Sequence, residues 1–92
     1  MRIEYDPAKS AINERERGLS FDLVFDLDWS KAVTYLDDRK DYGEKRVVAF
    51  VPMAGRLYVV CYTIRGAVRR IISFRKANSR EVKRYEEETA NR

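Results

Sequence analysis

Three runs decide the fold: Lys45-Arg46-Val47-Val48-Ala49-Phe50-Val51, Leu57-Tyr58-Val59-Val60-Cys61-Tyr62-Thr63-Ile64 and Val68-Arg69-Arg70-Ile71-Ile72-Ser73-Phe74. Each is rich in β-branched and aromatic side chains, which suit a pleated, half-buried surface. Ala54-Gly55 and Arg65-Gly66 punctuate them as turns. The three read as consecutive strands of an antiparallel meander.

Working back from them, Asp37 to Gly43 reads as a polar loop and Ala32 to Leu36 as a further strand. Before these, Phe21 to Asp26 reads as a short helix, apolar at 21, 24 and 25, with Ser20 as its N-cap. Asp6-Pro7 opens an earlier helix, with Asp as N-cap and Pro in the first helical position. That helix runs to about Arg17, where Gly18 stops it and Leu19 packs back. Arg2 to Tyr5 is a short strand. Working forward, Ser79 to Thr89 is a helix, with Asn78 and Glu81 spaced as a capping box. The order β-α-α-β-β-β-β-α over residues 1–92 describes one α+β domain. An antiparallel sheet with its helices on one face is the expected architecture.

Turn placement assigns the faces. A two-residue loop at Arg65-Gly66 puts Ile64 opposite Ala67, Tyr62 opposite Arg69 and Tyr58 opposite Ser73. Tyr58, Tyr62, Arg69, Ser73 and Arg75 then share one face with Val47, Val51 and Ile71. Leu57, Val59, Phe74, Phe50 and Val48 share the other. The second, more apolar face is expected to carry the helices, with Glu44, Arg46, Thr63, Arg65 and Arg70 at its polar end. The first is expected to be exposed. Arginines interleaved with tyrosines there suit single-stranded nucleic acid, although tyrosine also simply favours strands.

Charge is divided along the chain. From Lys45 to Arg80 there are nine Lys or Arg residues and no Asp or Glu. Residues 1–44 are net −4 and residues 45–92 net +8, against +4 for the whole. A basic patch on part of a small domain is the footprint of a polyanion partner, or else a solvated face. The C-terminal helix is unusual: Arg80, Lys83 and Arg84 precede Glu86, Glu87 and Glu88, against the helix dipole. Either pairing of Lys83 with Glu87 and of Arg84 with Glu88 offsets this, or the basic turn serves a ligand or partner.

The absence of histidine excludes Ser-His-Asp and Cys-His nucleophilic sites and imidazole-built zinc sites. Cys61 is the sole cysteine and reads as a packed core thiol. No cofactor or metal is expected. The first residues lack the apolar core of a signal peptide, and no apolar run is long enough to span a bilayer. A cytoplasmic protein with no membrane partner is the expectation.

Tyr5-Asp6-Pro7-Ala8-Lys9 with Asn13 and Gly18, Ser20-Phe21 with Phe25, Glu44-x-Arg46, Tyr62-Thr63-x-Arg65, Arg70-Ile71-Ile72-Ser73-x-Arg75-x-Ala77, and finally Glu81 and Tyr85 occur in an order and spacing that resemble the BrnT toxins. The resemblance covers nearly the whole chain. It departs at Tyr5-Asp6, where the family often has Trp-Asp, and at Glu16-Arg17-Gly18, where it usually has Lys-His-Gly. It implies a RelE-like fold and a ribonuclease that arrests growth. It also implies neutralisation by a BrnA-like antitoxin, through which alone operator DNA would be bound, and assembly into a toxin–antitoxin heterotetramer.

RNA carries its own nucleophile, the 2′-OH, so it can be cut without a metal. The protein must align the groups, move protons and stabilise a charge-rich phosphorane, and arginine forks suit the last task. Arg70 and Arg75 are five residues apart on one strand, roughly 17 Å at about 3.4 Å per residue, so one phosphate cannot take both unless the strand bends. Glu44, Arg46, Arg65 and Arg70 are therefore the expected catalytic group, with Glu44 as base. Tyr62, Ser73, Arg75, Lys76 and Lys9 are the expected RNA contacts. The rival readings are a fold-stabilising ion network at Glu44-Arg46-Arg70 and a non-catalytic nucleic-acid-binding or assembly module.

Overall fold

The computed structural model describes residues 2–38 and 43–90, so the tip of the expected loop at 37–43 lies outside the described residues. Its elements are β1 (Arg2–Glu4), α1 (Pro7–Arg17), short 3-10 helices at Phe21–Asp26 and Trp29–Lys31, β2 (Val33–Leu36), β3 (Arg46–Met53), β4 (Arg56–Arg65), β5 (Val68–Lys76) and α2 (Ser79–Ala90). The strands form one sheet in the order β1-β5-β4-β3-β2. β2 to β5 are an antiparallel meander, as expected, but β1 joins β5 in parallel, so the sheet is mixed.

Local chemistry fixes the element ends. Asp6 accepts from the Ala8 N–H at 2.9 Å, and Gly18 ends α1 at φ 74°, a conformation that glycine adopts without a Cβ penalty. Ser20 caps the next element by accepting from the Asp22 N–H. That element is a 3-10 helix, whose three residues per turn align i and i+3. Phe21, Val24 and Leu27 are therefore the buried set, and Phe25, expected inside, is 58% exposed. Asn13 is a buried strut: its Nδ2 donates to the Leu19 and Phe74 carbonyls, both at 2.8 Å, fastening α1 beside β5.

The hairpin registers reposition the faces. Ala54 and Gly55 both have positive φ, which makes the β3–β4 turn type I′, and Val48 faces Cys61 as expected. The β4–β5 turn is Gly66-Ala67 rather than Arg65-Gly66, since Arg65 pairs with Val68. Further along, Tyr62 faces Ile71 while Cys61 faces Ser73, so Ile72 is the extra residue of a β-bulge. A bulge inverts the alternation beyond it. Phe74 thus joins Tyr58, Val60 and Tyr62, and Ser73 and Arg75 move to the side of Cys61 and Val59, the reverse of the expected assignment.

Both faces of the sheet are covered, which corrects the expectation of helices on one side only. The larger core packs Leu19, Phe21, Val24 and Leu27 against Val47, Ala49, Val51, Tyr58, Val60, Tyr62, Ile71 and Phe74. On the opposite face Phe50, Leu57 and Val59 receive Ala77, Val82 and Tyr85. The unbroken run Leu57-Tyr58-Val59-Val60 is buried throughout, as a central strand covered on both sides must be. The α2 capping box forms as expected, with Glu81 N–H to Asn78 at 2.8 Å and Asn78 N–H to Glu81 at 2.9 Å. Arg84, expected to meet Glu88, instead lies 3.9 Å from the centre of the Tyr35 ring. No helix among the described residues is long and apolar enough to cross a membrane.

Candidate functional site

α2 packs over Phe50, Leu57 and Val59, towards one end of its face. At the other end four polar residues line up across four strands. Glu4 on β1 is opposite Arg70 on β5, Arg70 is opposite Thr63 on β4, and Thr63 is opposite Arg46 on β3. Facing residues in adjacent strands bring their Cβ atoms to about 4.5–5.5 Å, so the four side chains form one continuous rung. Arg70 Nη1 donates to Glu4 Oε1 at 3.1 Å. Thr63 is only 2% exposed, and its hydroxyl is buried with no hydrogen-bond partner among the described residues. A buried, unpartnered hydroxyl costs about 1–3 kcal/mol, and this one sits between two guanidinium-bearing neighbours.

Beyond the rung, Arg65 grips Glu44 with both arms, Nε to Oε2 at 3.1 Å and Nη2 to Oε1 at 3.2 Å. The hydrogen bonds from Arg65 hold the Glu44 carboxyl below its ordinary range, and the charges of Arg65, Arg46 and Arg70 add to the effect. The same pairing pushes Arg65 up. Asp6 and Lys9, from the start of α1, close the side. The result is a polar cleft of about 140 Å³ lined by Asp6, Lys9, Glu44, Arg46, Thr63, Arg65, Arg70, Ile71 and Ile72.

The four residues expected to act together, Glu44, Arg46, Arg65 and Arg70, therefore share one cleft. Their pairing differs from the expected network: Arg70 is held by Glu4, and Glu44 by Arg65. The expected RNA contacts divide. Lys9 is in the cleft. Ser73, opposite Cys61, lies on the rung's face, one row nearer α2. Arg75 is on that face too, but Glu81 holds it through two 2.8 Å hydrogen bonds, keeping the Glu81 carboxyl low and Arg75 high. Lys76 is exposed at the far end of β5, opposite Tyr58.

Tyr62 is 4% exposed and lies in the larger core. Trp29 meets it edge-on at 6.0 Å, and Arg69 stacks 4.3 Å from the Trp29 ring and 5.5 Å from Tyr62. Burial pushes its phenol up. The expected open face of tyrosines, Val47, Val51 and Ile71 is thus the interior, and neither a base nor an antitoxin can lie on it without displacing the 3-10 helices.

Glu4 and Asp6 were not singled out by sequence as site residues. Glu4 reaches Arg70 only because β1 adds to β5 in parallel, across a separation of 66 positions that leaves no local signal. Asp6 reads locally as a cap, which it also is. Among the described residues no group of three His, Cys, Asp or Glu side chains could hold a metal.

A family model described as "Ribonuclease toxin, BrnT, of type II toxin-antitoxin system" matches residues 5–81. The match spans every cleft residue from Asp6 to Ile72. No curated protein matches the chain. With most of its length covered by that model, the chain belongs to the BrnT family of ribonuclease toxins of type II toxin–antitoxin systems.

Proposed function

We propose that this protein cleaves RNA without a metal, by attack of the 2′-OH on the adjacent phosphate in the Arg46-Thr63-Arg70 cleft, and that a BrnA-like antitoxin neutralises it. The observation that carries this reading is the rung itself: two arginines flank a buried hydroxyl that has no hydrogen-bond partner among the described residues. A phosphate supplies an acceptor for the Thr63 hydroxyl and further oxygens within reach of the two guanidinium groups. Arginine forks match its oxygens and stay charged as the phosphorane forms.

In the reaction the 2′-oxygen bonds to phosphorus, the bond to the 5′-oxygen breaks, and a 2′,3′-cyclic phosphate is left. Glu44 receives the 2′-OH proton. While gripped by Arg65 it is a weak base, because its carboxyl is held low. A phosphate that draws Arg65 away releases Glu44 and raises its proton affinity, so substrate binding and base activation are coupled. Lys9 protonates the departing 5′-oxygen, a task for which guanidinium groups hold their protons too tightly.

The antitoxin needs a surface other than the tyrosine-lined interior. An acidic segment laid over the cleft would place carboxylates on the arginines meant for phosphate. The test is digestion of RNA by the purified protein in EDTA, beside Glu44→Gln and Arg46→Ala. Cleavage by the parent and its loss in both variants is the expected result. Activity that disappears on chelation, or survives both substitutions, would contradict it.

A further inference from the structure

The cleft does not end at Lys9. Lys9 and Ile72 also line a second hollow of about 210 Å³, between α1 and the bulge of β5. Its floor is apolar, made of Ile12, Ile72 and the edge of Phe21, and its lip carries Glu16 and Arg17. Ile12 is 43% exposed, the one large apolar side chain that α1 leaves in solvent among the described residues. Glu16 and Arg17 make no ion pair or hydrogen bond through their side chains among the described residues, whereas Glu4, Glu44 and Glu81 are each held by an arginine.

We propose that this hollow binds one base of the RNA, a guanine, on the nucleotide whose 3′-phosphate lies in the cleft. The inference rests on the cleft's being a phosphate site. Three features select the occupant. The hollow adjoins the cleft, sharing Lys9 and Ile72 with it, so one nucleotide can reach both. The apolar floor accepts the face of a flat ring, as unstacked RNA bases require. The lip then reads the edge. A carboxylate offers two adjacent acceptors, and guanine alone among the four bases presents two adjacent donors, N1–H and the 2-amino group. Arg17 supplies a donor for guanine O6. Adenine, cytosine and uracil each leave at least one of these groups facing its own kind. Ile72, the extra residue of the bulge, lines the hollow, and Asn13 fastens α1 beside β5 through the Phe74 carbonyl.

The experiment is calorimetric titration of the purified protein with 3′-GMP, 3′-AMP, 3′-CMP, 3′-UMP and inorganic phosphate, repeated on Glu16→Gln and Ile12→Asp. We expect 3′-GMP to bind at least about tenfold more tightly than the other three, the lower range of discrimination by a good bidentate contact. Glu16→Gln should bring 3′-GMP to the level of the rest, since its amide sets a donor against a donor. Ile12→Asp should weaken all four nucleotides and leave inorganic phosphate bound. RNA cleavage sites should map 3′ of guanosine. Equal binding of the four nucleotides and phosphate would overturn the base pocket while leaving the cleft as a phosphate site. Failure of phosphate and of every nucleotide to bind would overturn both.

Discussion

Arg70 and Glu4 are each about a third exposed, with side-chain accessibilities of 33% and 37%. An ion pair so open to water is screened and contributes at most about 1 kcal/mol. Arg70→Ala should therefore leave the fold within about 1 kcal/mol of the parent in chemical denaturation. RNA cleavage should fall by about a hundredfold or more, as when a donor to a developing oxyanion is removed. The reverse pattern, a large loss of stability with cleavage retained, would make Arg70 a clasp for β1. Thr63 gives the complementary test. Thr63→Val keeps the β-branched shape and removes the unpartnered hydroxyl, so it should raise stability by about 1 kcal/mol. If the hydroxyl serves phosphate, the same variant loses activity. A stabilised variant with full activity would show that the hydroxyl plays no part. Much of the cleft was legible at this scale, because Glu44, Arg46, Thr63, Arg65 and Arg70 all follow from turn placement at the polar end of one face. Their partners were not, since an arginine's choice between Glu4 and Glu44 depends on where a distant strand docks.

Among the elements, α2 depends on one junction. Glu81 caps the helix by accepting from Asn78 and grips Arg75 on β5, joining helix to sheet. Its folded carboxyl is held below the ordinary value of 4.5, chiefly by Arg75. A depressed pKa adds stability above the unfolded value and loses it as pH falls through the folded one. Thermal unfolding should thus be steady from neutral pH down to about 4.5 and decline below it. Glu81→Gln should cost about 1–2 kcal/mol at pH 7, allowing for partial exposure of the pair. The cost should shrink towards zero near pH 2. A penalty that does not change with pH would mean the cap matters and the charge does not. The caps of α1 and α2, the glycine stop and the turn at Ala54-Gly55 were legible because each is written within a few neighbouring residues. The bulge was not. Ile71-Ile72 reads as an ordinary strand, and nothing local says that one of the two has no partner. That single insertion moved Phe74 inward and Arg75 to the α2 side, while the supposed RNA-binding tyrosine face is core because Leu19, Phe21, Val24 and Leu27 pack over it. The 3-10 geometry at Phe21–Asp26 likewise exchanged Phe25 for Leu27.

For the whole molecule the decisive quantity is the division of charge, −4 over residues 1–44 and +8 over residues 45–92. If the cleft and its surroundings hold phosphates, RNA affinity should fall by about 0.7 log unit per log unit of salt for each contact. Arg46→Ala should flatten that slope by about one contact, whereas Lys76→Ala, at the far end of β5, should leave it nearly unchanged. Equal effects of the two would point to a diffuse basic surface. The sharpest measurement is made on the substrate. An RNA oligonucleotide cut at a mapped site is compared, in EDTA, with the same oligonucleotide carrying a single 2′-deoxy residue immediately 5′ of the scissile phosphate. Attack by the 2′-OH predicts that the deoxy substitution abolishes cleavage at that position alone, and that the parent yields a 2′,3′-cyclic phosphate end. Undiminished cleavage of the deoxy-substituted strand would contradict the account.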